Sequence, residues 1–168
     1  LAEKQARDDA KKEIDDAADA GIAAVKDGKQ DDELTPEEQA LIDEINEERE
    51  KAKDDIDKLT GDYPDILEDI QDIVDDTKDD FDDDVKKDEI NDAADEAIEK
   101  IKDGKPEEEL TKEEKDLIDE INDARDDAIN ALDNPSVDTD DERDKIVNDA
   151  KDIFTDKIAE DFVNDHAS

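Results

Sequence analysis

The sequence predicts an all-α fold: two tandem three-helix bundles, with one helix continuous across their junction. Three observations predict it. Apolar residues recur at steps of three and four, the period of a helix with one buried face. A block of sequence occurs twice, as DGKQDDELTPEEQALIDEINE from Asp27 and as DGKPEEELTKEEKDLIDEIND from Asp103. Between Pro64 and Gly104 no glycine or proline interrupts the chain, so nothing there stops a helix.

The first helix is written by Ala6, Ala10, Ile14, Ala17, Ala18, Gly21, Ile22 and Val25, one apolar stripe. Gly28 follows where a left-handed C-terminal cap is wanted, and Gly104 repeats it. The second helix opens at Thr35-Pro36-Glu37-Glu38. Threonine at the cap, proline in the first turn and glutamate three residues on make a capping box, which Thr111-Lys112-Glu113-Glu114 repeats. Its stripe is Leu41, Ile42, Ile45, Ala52, Ile56 and Leu59, matched by Leu117, Ile118, Ile121, Ala128 and Leu132. Thr60-Gly61-Asp62-Tyr63-Pro64 reads as a turn, and so does Asp133-Asn134-Pro135-Ser136; Thr139 with Glu142 offers a further capping box. The third helix carries Ile66, Ile70, Ile73, Val74, Thr77, Phe81 and Val85. With no stop signal it should run from about residue 65 to 102, roughly 55 Å at 1.5 Å per residue.

The copies align residue by residue. Ile14 to Asp19 (IDDAAD) matches Ile90 to Asp95 (INDAAD), a shift of 76 residues that holds to Asp57 and Asp133. After the next loop the shift is 73: Ile73 matches Ile146, Lys78 matches Lys151, Phe81 matches Phe154, and Ile90 matches Val163. The expected domains are therefore 1-86, the first three-helix repeat, and 87-168, the second, ending in the start of a third. Leu1 aligns inside a helix, near Thr77, so both ends are expected to lie within a longer array. Ala-rich stripes make thin cores, and each repeat should lean on its neighbours, as in other linear repeats. The expected arrangement is a spectrin-like elongated rod.

The 168 residues hold 63 acidic and 23 basic side chains, for a formal net charge of -40. Such acidity repels nucleic-acid backbones and anionic membranes, and is compatible with weak cation association or a basic partner. With no cysteine there is no disulfide and no thiolate chemistry. No apolar run is long enough to span a bilayer, so no membrane insertion is expected.

The phrase ELTxEE, the following I-D-E-I-N stripe, the Ala-rich helices and the Asn/Asp turn resemble the tandem three-helix repeats of giant cell-wall-anchored surface proteins of Gram-positive bacteria. The resemblance covers nearly the whole chain. It implies structural stalk or spacer repeats of a cell-surface adhesin, which project a distal binding domain from the cell wall. It also implies an extracellular location, with export and sorting signals outside this fragment, and neighbouring repeats of the same chain as partners. Related modules of such proteins bind host proteins, so a helical module holding a host ligand is the alternative. An intracellular acidic interaction protein is a third reading.

No residues stand out as catalytic, cofactor-binding or metal-binding, no cofactor is expected, and an enzyme is not expected. His166 is the only histidine and has no cysteine to pair with. Asp55 to Gly61 places its glycine seventh where a calcium loop of the EF-hand kind needs it sixth, and Asp138 to Glu142 has no glycine, so both read as turns and caps. The run Asp79-Asp80-Phe81-Asp82-Asp83-Asp84 reads as a solvated face screened by salt rather than a cation site. Tyr63 beside Pro64 reads as a local turn plug.

Overall fold

The computed structural model describes residues 1–137 and 139–166. Among these residues the chain is all helical, with no strand. Five helices follow one another: α1 (Ala2–Lys26), α2 (Pro36–Lys58), α3 (Tyr63–Lys102), α4 (Lys112–Leu132) and α5 (Asp140–His166). Single 3-10 turns, Asp31–Glu33 and Glu107–Glu109, precede α2 and α4. Two compact units result, Leu1–Asp88 and Glu89–Ser168, where the sequence places the division at 86/87. The dividing point lies inside α3, which spans 40 residues without interruption, about 60 Å of helix.

Within the first unit, Ala10, Ile14, Ala18 and Val25 of α1 meet Ile45, Ala52 and Ile56 of α2 and Ile66, Val74 and Phe81 of α3. Within the second, Ile90, Ala94 and Ile101 of α3 meet Leu117, Ile121 and Leu132 of α4 and Val147, Ala150 and Phe154 of α5. Each of these residues lies in a stripe read at helical period or is the repeat counterpart of one that does, which is why three amphipathic helices suffice to close each unit.

Both capping boxes form. Thr35 Oγ1 accepts from the Glu38 N–H at 3.1 Å, and the Glu38 carboxylate accepts from the Thr35 N–H at 3.0 Å. Thr111 and Glu114 repeat these distances. At the third site, Thr139 Oγ1 accepts from the Glu142 N–H at 3.1 Å. Asn134 closes the turn before α5, its side-chain oxygen accepting from the Ser136 N–H at 3.0 Å.

Three details differ from expectation. The left-handed backbone at the end of α1 begins at Asp27 (φ 46°) before Gly28 (φ 81°), and Asp103 (φ 47°) precedes Gly104 (φ 78°) in the same way. Aspartate is among the few side chains that tolerate this region, so the cap takes two residues. Helix α3 starts at Tyr63 rather than about 65. Tyr63 is accordingly the first residue of a helix and 40% exposed, too open to plug a turn.

Candidate functional site

His166 sits at the end of α5 with its ring stacked on Phe162, centroids 4.2 Å apart, and its Nδ1 2.8 Å from the Phe162 carbonyl oxygen. Asp55, Asp57 and Lys58 belong to the last turn of α2, with Leu59 as its cap, so that stretch is a helix end. Asp138, which opens the other loop considered, lies outside the described residues; Asp140 and Glu142 form the first turn of α5.

The aspartate run from Asp79 to Asp84 is not a uniformly solvated face. Asp79 and Asp80 are exposed, Asp82 and Asp83 are half-buried, and Asp84 is 1% exposed. The reason is helical geometry. Ile70, Val74, Thr77 and Phe81 are buried on α3 at steps of four, three and four, and three further residues lead to Asp84. Asp84 thus continues the core stripe.

Across from it, α2 does the same with a glutamate. Leu41, Ile45, Ala52 and Ile56 are buried, and Glu48 occupies the stripe position between Ile45 and Ala52. One turn earlier on α2 stands Glu44. Glu44, Glu48 and Asp84 each bring a carboxylate oxygen to within 4.8 Å of the other two. The Lys87 ammonium lies 3.8 Å from Asp84 Oδ1 and 3.9 Å from Glu44 Oε1. Asp84 Oδ2 and Glu48 Oε2 are both buried and receive no hydrogen bond from any group outside the pair.

Burying acid against acid raises its affinity for a proton. Burial is the largest cause at Asp84, followed by its hydrogen bond with Glu48 and the charges of Glu48 and Glu44; against the pull of Lys87 these push the carboxyl up to about 10. Glu48 is pushed up to about 7, again mainly by burial, with Asp80 and Glu44 adding to it while Asp84 and Lys87 oppose. Two carboxyls this close titrate as a pair, and near neutral pH they share a proton. Chemically, the pocket can hold either a proton or a hard cation between its oxygens.

Other buried acids are satisfied differently. Glu38 is 1% exposed, yet both its oxygens are 2.9 Å from Lys29 Nζ. Burial pushes its carboxyl up, but the Thr35 N–H, Lys29 and the Thr35 hydroxyl together hold it below the ordinary glutamate value. Lys105 grips Glu114 at 2.9 and 2.7 Å, and with the Thr111 N–H lowers that carboxyl too. Near Glu114 lie Asp161 and Asp165, and Asp161 is pushed up by burial and then by those two charges.

The second unit shows what the repeat does at the positions of the carboxylate pocket. By the shifts of 76 and 73 residues, Glu44 corresponds to Glu120, Glu48 to Ala124, Asp84 to Lys157 and Lys87 to Glu160. Lys157 Nζ stands 2.7 Å from Glu120 and 3.3 Å from Glu160. Where the first unit holds three carboxylates and one ammonium, the second holds two and one, in direct ion pairs. Comparison with family models, curated proteins and solved structures finds no match to this chain.

Proposed function

We propose that the chain is a structural spacer, two units of a tandem three-helix stalk that projects a distal binding domain from a bacterial cell wall. The observation that carries this reading is α3, helical from Tyr63 to Lys102 with no break through residues 85–91, where the last helix of one repeat becomes the first of the next. A helix has a fixed rise per residue, so shared helices suit a part whose job is length. Three further features support the reading. The stripes and capping boxes recur in both units. Cross-helix pairs recur with them: Arg49 to Asp19 at 3.1 Å and Arg125 to Asp95 at 3.7 Å. The net charge of -40 resists collapse and sideways aggregation.

Small-angle scattering tests the proposal. The maximum dimension should grow by equal increments as repeats are added, and Glu89→Pro, within the exposed face of α3, should shorten it while circular dichroism stays helical. Dimensions that scatter as for freely jointed units would overturn it.

A second reading, a module that holds a host protein, is favoured by one surface. Ile153 and Phe162 of α5 are 41% and 62% exposed. Ile153 and Val163 line a groove of about 770 Å³ with Leu117 and Lys157. One repeat earlier the corresponding residues are Asp80 and Glu89, so Ile153 and Phe162 are not a property of the repeat. If it holds a protein, importing those two acids should abolish retention on immobilised extracellular-matrix proteins.

A further inference from the structure

We infer that Glu44, Glu48 and Asp84 form a site for a single calcium ion within the first unit. An acidic cluster alone would say little in so acidic a chain. Here, however, Asp84 is 1% exposed, and neither its Oδ2 nor Glu48 Oε2 receives a hydrogen bond from any group outside the pair. Buried carboxylate oxygens in that state are costly unless something positive stands between them. The repeat itself supplies the comparison. In the second unit the same position of the bundle is filled by the Lys157 ammonium, in contact with Glu120 and Glu160. The first unit has removed that ammonium, placed an aspartate there and added a second carboxylate, Glu48, where the other unit has Ala124. Lys87 balances one of the three negative charges. The carboxylates still outnumber the ammonium, which suits a cation.

The donor set selects the ion. All three ligands are carboxylates, with no imidazole or thiolate nearby, so the site suits a hard cation. Oxygens within 4.8 Å of one another are close enough for one ion at the 2.3–2.6 Å typical of calcium to bridge any two of them, and a small shift of a side chain brings in the third. Calcium accepts mono- and bidentate carboxylates in irregular arrangements, whereas magnesium demands a near-octahedral set and keeps its waters. A cleft of about 280 Å³ between α2 and α3, lined by Glu48, Asp76, Asp80 and Lys51, opens beside Glu48.

Isothermal titration calorimetry of the whole chain at pH 8 and 0.15 M salt tests this. Calcium should bind saturably at one site per chain. Asp84→Asn should weaken it at least tenfold. The triple change Glu48→Ala, Asp84→Lys, Lys87→Glu installs the second unit's residues and so retains a fold the chain already uses; it should bind no calcium. Asp126→Asn with Asp127→Asn, two exposed carboxylates of the second unit, should leave binding intact. Equal calcium uptake by the triple variant and the parent would mean a diffuse ion atmosphere and overturn the site. Magnesium binding as tight as calcium would overturn the choice of ion.

Discussion

Replacing Asp84 by asparagine should change how the stability of the first unit depends on pH, with chelator present to keep the pocket metal-free. An ordinary aspartate carboxyl ionises near 3.8, whereas Asp84 in the folded protein is pushed up to about 10. Between pH 5 and 7 the unfolded chain therefore has Asp84 ionised while the folded chain keeps it protonated. The folded state holds the extra proton, so its stability must fall as pH rises through this window. One proton corresponds to about 1.4 kcal/mol per pH unit, or about 3 kcal/mol from pH 5 to pH 7. Asp84 is 1% exposed, so solvent screening removes little of this. Glu48, also raised, acts in the same direction. Glu38 and Glu114, which are lowered, act oppositely, but their contribution is lost only below the ordinary glutamate range and leaves this window untouched. Tyr63 is the only tyrosine, there is no tryptophan, and it lies in the first unit, so its fluorescence reports that unit's unfolding. Urea titrations at pH 5, 6, 7 and 8 should show stability falling in the parent, and the Asp84→Asn slope should be shallower by about 1 kcal/mol per unit. Identical slopes, or parent stability that rises from pH 5 to 7, would refute the reasoning.

Further outcomes follow from the packing. Ile121→Ala, at a fully buried position of α4, should cost 2–5 kcal/mol by urea denaturation. Gly21→Ala should raise stability by about 0.5–1 kcal/mol, because the new Cβ would meet Ile45 Cδ1 at 3.5 Å and Val85 Cγ2 at 3.8 Å, ordinary contacts, while helix propensity improves. Thr111→Ala removes the hydroxyl that accepts from the Glu114 N–H and should cost about 1 kcal/mol. Lowering salt from 0.5 M to 0.02 M should lower the melting temperature measured by circular dichroism, because the carboxylates repel most in the compact state when unscreened.

The helices were legible because period and caps are local. Ile14, Ile45, Ile121 and Phe154 could be assigned to cores from spacing alone, and Thr35 and Thr111 announced the helices they cap. The carboxylate pocket was not legible, because an aspartate in an aspartate run carries no mark of burial. The signal existed in register. Glu48 fills the gap between Ile45 and Ala52, and Asp84 continues the line from Thr77 and Phe81. A stripe defined by spacing rather than by apolarity would have found both. Lys29 and Lys105 escaped notice for a different reason. They reach back from the preceding loop to buried glutamates nine residues on, a pairing that no helical period encodes.

The two copies also separate what the fold requires from what it merely permits. Where they agree, as in the Thr35 and Thr111 boxes or the Lys29–Glu38 and Lys105–Glu114 pairs, the shared residues satisfy helix ends and buried carboxylates that any copy must satisfy. A bundle of this shape closes equally well over Lys157 or over Asp84, so the fold does not dictate the sign of the charge there. Aspartate against Glu48 is the more expensive choice for a metal-free protein, since it buries like charges that must take up a proton to coexist. A residue that weakens its unit in the absence of an ion, at a position where the sister unit has an inexpensive alternative, is explained by what it holds rather than by packing.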